Sequence, residues 1–243
     1  MKSGYNSCRN RHCPKCQFLR KEKWLEARKE DLLPIQYFHV VFTIPDELNP
    51  IVLRNQRVLY GVLFKSVSET LMELAKDNKH LCAQIGFISI LHTWGQNLTD
   101  HPHIHCIVTG GGLSPDRDKW VFCRKKFFLS VRVMSRLFRG KFLDYLKRSH
   151  DSKELRFLGN ISPLQEPEAF KELLKGLYSQ EWVVYCKPPF KGPEGVLQYL
   201  GRYTHRITIS NNRIIKMEDD KVSFLWRDYS DGNKDKILWP TGQ

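Results

Sequence analysis

Residues 100–108 read Asp100-His101-Pro102-His103-Ile104-His105-Cys106-Ile107-Val108, and this stretch decides the predicted fold. On a β-strand, side chains two residues apart point to the same face. His103 and His105 would therefore share one face, while Ile104 would face the core. Two imidazoles on a rigid strand can ligate one metal ion, and the alternative is a pair of hydrogen-bonded structural histidines. We predict that this strand carries a metal site.

The predicted metal site needs a third ligand to fix its geometry. Gln96 lies seven residues before His103, and its amide oxygen is the predicted third ligand; Asp100 and His101 are the nearest alternatives. Imidazoles alone favour zinc or another transition metal. An amide oxygen together with a substrate phosphate favours magnesium or manganese instead.

A second feature is the stretch Tyr199-Leu200-Gly201-Arg202-Tyr203. Pro193 suits the first turn of a helix that would run to about Thr204. Residues four apart on a helix are neighbours, so the two phenols would project from one face. They are either ordinary half-buried aromatics or nucleophiles, and a phenol with a pKa near 10 attacks only when it is activated. The nearby cations favour the second interpretation: Lys187, Lys191, Arg202, His205 and Arg206.

Composition points to a polyanionic partner. The 243 residues include 39 Lys and Arg against 26 Asp and Glu, which gives a net charge of +13. Neutralised phosphates release counterions and so add affinity. We predict nucleic acid, because the aromatic residues offer stacking surfaces and no membrane-spanning or lipid-binding stretch is evident. An odd number of cysteines, seven, and the lack of a signal peptide favour a reducing, cytoplasmic setting.

Periodicity predicts an α+β protein. Strands are predicted at 35–44, 86–94, 103–109 and 181–186, and helices at 17–33, 54–76, 130–150 and 167–180. Gly110-Gly111-Gly112 is predicted to form a turn, followed by a hairpin from residues 120–122 to 127–129. The tail, 207–229, alternates like two strands joined at Glu218-Asp219-Asp220.

With these features in place, the chain resembles the HUH-type, two-tyrosine rolling-circle transposases of bacterial insertion sequences, the "IS-ninety-one" group. The resemblance follows the family's order over nearly the whole chain. The matching stretches are Cys8–Gln17, Tyr37–Pro45, Leu91–Gln96, His101–Cys106, Gly110–Ser114, Lys187–Glu194 and Tyr199–Arg206.

The resemblance implies an HUH endonuclease-like fold, with a central antiparallel sheet flanked by helices. His103, His105 and Gln96 would bind Mg²⁺ or Mn²⁺, and Tyr199 and Tyr203 would be the nucleophiles. The implied activity is cleavage and rejoining of single-stranded DNA through a 5′-phosphotyrosine. Lys187, Lys191, Arg202 and Arg206 are the expected DNA-binding cations.

Two departures from the family pattern are expected to matter. Cys8, His12, Cys13 and Cys16 could bind Zn²⁺, but the family's further upstream ligands are missing; an unstructured N-terminus is the alternative. The family also continues beyond Gln243. We therefore expect a partial zinc-binding motif and basic helix at 1–34, and a C-terminally incomplete catalytic domain at 35–243. Other interpretations are a plasmid replication initiator or relaxase-like nickase, and a non-catalytic remnant that binds single-stranded DNA.

Overall fold

The computed structural model describes residues 8, 10, 13–95, 97–124, 128–187, 192, 195–196, 199, 201, 211–228 and 231–238. Within them the protein is a mixed α/β fold with antiparallel sheets, which confirms the predicted coarse fold class. These residues fall into two compact units. The first unit comes from 33–92 and 101–196, and the second from 1–32, 93–100 and 197–243. The predicted domain boundary at residue 34 stays a prediction.

The first unit is built on a five-stranded sheet in the order β2-β3-β1-β5, with β4 also paired to β3. Its strands are β1 (Tyr37–Thr43), β2 (Gln84–Trp94), β3 (Asp100–Leu113), β4 (Trp120–Phe122) and β5 (Val184–Lys187). β1 pairs antiparallel with both β3 and β5. A strand forms at each of the four places that the sequence predicted.

Alternation along β1 and β3 gives the sheet two different faces. Phe42 pairs with Ile104 and Val40 pairs with Cys106, and these side chains have no more than 1% exposure. They form the core face. Side chains at the intervening positions must point the other way. That opposite face, which we call the site face, carries His39, His103 and His105.

Helices cover the core face. They are α2 (Asn49–Arg54), α3 (Gln56–Lys76), α4 (Val131–Asp151) and α5 (Pro167–Ser179). Phe138 of α4 packs edge-on against Phe42 of β1, with 5.1 Å between ring centroids, and also against Trp182. The Trp182 indole N–H donates to the carbonyl of Leu177, 3.0 Å away, so this buried donor is satisfied. None of the described helices is long and apolar enough to cross a membrane.

The three consecutive glycines do not form the predicted turn, because they lie inside β3. A Cβ built on Gly110 would lie 2.7 Å from the Gln36 carbonyl oxygen, and one on Gly112 would lie 2.3 Å from that of Gln84. Glycine is therefore used here for close approach of neighbouring backbones. The predicted hairpin is also corrected, since β4 pairs with β3 and the described residues Phe128 and Leu129 are not in a strand. Phe127 lies outside the described residues.

The second unit contains α1 (Pro14–Lys29) and a three-stranded antiparallel sheet. Its strands are β6 (Ile214–Glu218), β7 (Lys221–Asp228) and β8 (Lys234–Leu238). The predicted join falls correctly at Asp219 and Asp220, which both have positive φ. β6 and β7 are the two strands predicted within 207–229. β8 is a third strand beyond that range, and it is too charged to show clear apolar alternation. Tyr199 and Gly201 of this unit are helical, and we call the helix at these two residues the tyrosine helix.

Candidate metal centre

Three histidines converge on the site face. His92 of β2 joins His103 and His105 of β3, and all three are buried. The group offers ring nitrogens that all lie within 4.8 Å of one another. The His92 ring stands almost perpendicular to the other two, with centroid distances of 5.3 and 5.2 Å. Three buried imidazoles that point at one place form a suitable donor set for a transition metal.

The position of His92 follows from how β2 lies beside β3. Ser89 Oγ is 3.2 Å from Cys106 Sγ, and the Gly86 amide donates to Thr109 Oγ1 at 3.1 Å. Each step forward along β2 is thus matched by one step back along β3, which brings His92 beside His103. His92 was not among the predicted ligands. A predicted hairpin between β2 and β3, centred between residues 97 and 98, would have paired His92 with His103 and so indicated the third histidine.

Hydrogen bonds orient both rings of the predicted pair. His103 Nδ1 lies 2.5 Å from the His101 carbonyl oxygen, which can only accept. The His103 proton therefore sits on Nδ1, and Nε2 carries a lone pair. That Nε2 is 3.1 Å from Nε2 of His105, whose Nδ1 is in turn 2.9 Å from His39 Nε2. The rings of His39 and His105 are stacked, with centroids 5.1 Å apart.

Two arrangements of protons satisfy this chain of contacts. In the first, His39 donates to His105, and His105 donates to His103. In the second, His105 Nδ1 donates to His39, and the Nε2 lone pairs of His103 and His105 face each other. The second requires a cation between them, because opposed lone pairs in a buried site repel. Metal-ligating histidines commonly donate their other ring N–H in this way. His39 can therefore fix the tautomer that binds metal.

His39 is suited to this acceptor role because it stays neutral. Burial lowers the pKa of His39 to about 3, with further contributions from the positive charge of Lys187 and from His103. Lys187 pairs with His39 across β1 and β5. The predicted DNA-binding cation Lys187 thus lies on the strand next to that of His39, and β1 separates it from β3.

The predicted third ligands do not join this group within the described part of the chain. Gln96 lies outside the described residues. Asp100 is exposed, and His101 Nδ1 is 3.5 Å from Asp46 Oδ1. Neither belongs to the three-histidine group. The metal-binding roles of His103, His105 and Gln96 stay predictions, and His92 becomes the best-placed third donor.

A second candidate metal site lies in the second unit. Cys8, Cys13 and Cys16 bring their sulfur atoms within 4.8 Å of one another, and Cys8 Sγ is 3.4 Å from Cys16 Sγ. Thiolates on one tetrahedral zinc ion lie about 3.8 Å apart, given a Zn–S distance of about 2.3 Å. The three cysteines therefore fit zinc. His12, the remaining predicted ligand, lies outside the described residues.

Of the two predicted nucleophiles, Tyr199 is described and Tyr203 is not. Tyr199 is helical, as predicted, and half-buried. The predicted cations Lys191, Arg202 and Arg206 also lie outside the described residues.

Comparison with known proteins identifies the family. Residues 86–241 match the transposase family described as "Putative transposase", and residues 1–44 match the family described as "Transposase zinc-binding domain". The first match alone covers more than half of the chain. The chain therefore belongs to this transposase family, as its resemblance to insertion-sequence transposases predicted.

Two relatives are similar along most of this chain. "Putative transposase y4qJ" of Sinorhizobium fredii (strain NBRC 101917 / NGR234) is 52% identical over 234 residues, which are 96% of this chain and 59% of that protein. "Transposase for insertion sequence element IS801" of Pseudomonas savastanoi pv. phaseolicola is 28% identical over 209 residues, which are 86% of this chain and 48% of the relative. The chain thus spans about half the length of these relatives. No solved structure matches it.

Proposed function

We propose that this chain nicks and rejoins single-stranded DNA at the ends of an insertion sequence, as an HUH-type rolling-circle transposase. The observation that carries the proposal is the buried group of His92, His103 and His105 in a chain that belongs to a transposase family. The net charge of +13 supports a nucleic-acid substrate. The same features would serve a plasmid replication initiator, but the relatives of this chain carry transposase names.

Three imidazoles would hold Mn²⁺ better than Mg²⁺, because nitrogen donors suit transition metals and Mg²⁺ prefers oxygen. They would leave coordination positions for phosphate oxygens. Such a cation, when bound, polarises the phosphate and neutralises charge that builds up during the reaction. His92, His103 and His105 present the nitrogen donors. His39 would keep His105 in the ligating tautomer, and the Lys187 ammonium would attract the DNA backbone toward the site face.

In the proposed reaction, a tyrosine phenol of Tyr199 or Tyr203 loses its proton and attacks phosphorus. The new bond joins the phenolic oxygen to phosphorus, and the bond from phosphorus to the 3′ oxygen breaks. The leaving oxygen takes up a proton and becomes a free 3′-hydroxyl. No electrons are transferred, and the phosphotyrosine keeps the energy of the broken ester for rejoining by the reverse attack.

Labelled DNA tests this proposal. The probes are 60-nucleotide single strands that tile both strands of the DNA flanking the gene, incubated with the chain and Mn²⁺. We expect a covalent adduct that carries the 3′ label, together with a released 5′ fragment that a polymerase can extend. Replacing Tyr199 and Tyr203 together by Phe should abolish the adduct. Tyr178→Phe, at an exposed tyrosine of α5, is the matched control.

Other outcomes would contradict the proposal. An adduct carrying the 5′ label would mean a 3′-phosphotyrosine and hence a different polarity. Salt-sensitive binding without any adduct would instead mean a non-catalytic protein that binds single-stranded DNA.

A further inference from the structure

A close contact joins α1 to the tyrosine helix inside the second unit. Gly201 is buried, and a Cβ built on it would lie 2.7 Å from Lys21 Cε and 2.9 and 3.3 Å from the two Cδ atoms of Leu25. Real Cβ atoms do not approach other atoms this closely. Glycine at this position therefore lets α1 sit directly against the backbone of the tyrosine helix.

The use of glycine here needs a packing reason. Glycine in a helix interior is less stable than alanine, because it loses more conformational freedom on folding. Gly140 and Gly176 show the contrast, since nothing lies within 4 Å of a Cβ built on either helical residue. Gly201 carries the same conformational cost as these two glycines, but its missing side chain lets Leu25 pack closely against it.

The same helix α1 begins at the cysteine cluster. Cys13 is its N-cap residue, and Cys16 lies in its first turn. Leu25 follows Cys16 by nine residues, so the two lie roughly 13 Å apart along one helix axis. A continuous helix of this length moves nearly as a rigid rod. Whatever fixes the start of α1 will therefore also fix the surface that meets Gly201.

Tyr199 lies close to this contact. It precedes Gly201 by two residues, and at 100° per residue it projects about 200° around the helix axis from the Gly201 position. A displacement of α1 would therefore shift or rotate the helix that carries Tyr199.

We propose that metal binding at Cys8, Cys13 and Cys16 positions the tyrosine helix for cleavage, and that α1 transmits the effect through packing of Leu25 on Gly201. Leu25 and Gly201 are positioning residues rather than catalytic ones. The proposal rests on the proposed function only for the nucleophilic role of the tyrosines. The mechanical coupling between the cysteines and the helix can be tested without any cleavage.

Hydrogen exchange tests the coupling itself. The zinc-loaded chain is compared with the Cys13→Ser/Cys16→Ser variant, in peptides that contain Tyr199 and Gly201. We expect exchange in these peptides to rise about tenfold when zinc cannot bind, because their helix loses its support. His103→Asn serves as control and should leave these peptides unchanged. Equal exchange with and without zinc would overturn the proposal, whether or not the chain cleaves DNA.

Substitutions that change side-chain size test the contact between Leu25 and Gly201. Gly201→Ala should slow adduct formation roughly tenfold, since misplacement by about 1 Å can cost about 100-fold and this overlap is smaller. Leu25→Ala removes both Cδ atoms and leaves only Lys21 Cε, the end of a flexible side chain that can move aside. Adding Leu25→Ala to Gly201→Ala should therefore restore the rate to that of Leu25→Ala alone. DNA affinity should change less than twofold in all three variants. Gly176→Ala, a helical glycine with open space, is the matched control.

The outcomes separate the two proposals. If the unmodified chain forms no adduct while exchange still responds to zinc, the nicking function fails and the coupling stands. If the chain forms an adduct but Gly201→Ala reacts at the normal rate, the coupling fails and the nicking function stands. Lack of rescue by Leu25→Ala would also count against the contact, because the defect would then come from elsewhere.

Discussion

The two candidate metal sites of this chain are built in opposite ways. Cys8, Cys13 and Cys16 fall within nine consecutive positions at the start of one helix. His92, His103 and His105 come from two neighbouring strands, and His39 approaches from a third. The cysteine site is formed by a local stretch of chain that bound zinc would hold together, whereas the histidine site is held by a folded sheet. A change in the sheet should therefore disturb only the histidine site, and loss of zinc should spare it.

The largest expected effect is at His105, a proposed metal ligand that contacts both His103 and His39. His105→Asn should lower Mn²⁺-dependent cleavage at least about 100-fold, because loss of even an outer partner of a ligand can cost about 10–100-fold. Single-turnover adduct formation measures this. His80→Asn, at an exposed position, is the control. Normal cleavage by His105→Asn would remove the histidine group from the mechanism.

The next effect concerns His39. His39→Ala should weaken Mn²⁺ binding about 10–100-fold, since His105 loses the acceptor that fixes its tautomer. His39→Gln should recover part of the affinity, because an amide oxygen can accept the same N–H. Calorimetric titration with Mn²⁺ measures both. If the unmodified chain and both variants bound Mn²⁺ with equal affinity, His39 would have no part in orienting His105.

A smaller effect is expected when the spacing between β2 and β3 is changed. Gly112→Ala should cost about 1–3 kcal/mol of unfolding free energy, because its Cβ would lie 2.3 Å from the Gln84 carbonyl oxygen. Pushing β2 away from β3 should also weaken Mn²⁺ binding through His92. Gly140→Ala is the matched control, and helix propensity should make it neutral or slightly stabilising. Urea unfolding measures both, and a stable Gly112→Ala protein would show that the strands can separate without penalty.

The smallest expected effect is on Mn²⁺ affinity when the cysteine site is removed, and it tests whether the two sites are independent. Cys16→Ser should abolish zinc binding and reduce helicity in α1, while Mn²⁺ affinity at the histidines changes less than about twofold. Zinc content, circular dichroism and Mn²⁺ titration follow the three quantities. A large loss of Mn²⁺ affinity would mean that the histidine site also depends on the cysteine site.

Local patterns were predicted well, because neighbouring residues determine them. The alternation that places Ile104 in the core is visible in sequence, and so is the shared face of His103 and His105. The helix that carries Tyr199 was indicated by its spacing and by a proline. The predictions were wrong where the local structure depends on packing against other parts of the chain. Gly110 and Gly112 resemble a turn in sequence, but neighbouring strands use them for close approach.

By itself the amino-acid sequence determined the sign of the charge, the alternation of the strands, the cysteine motif and the family. The tertiary structure decided which distant residues complete each site. It brought His92 and His39 to the predicted pair and placed Leu25 against Gly201. The physical reason is that spacing along one strand or helix fixes only the faces of that element. Which residues meet across elements depends on strand register and side-chain packing, and these form only when the whole chain folds.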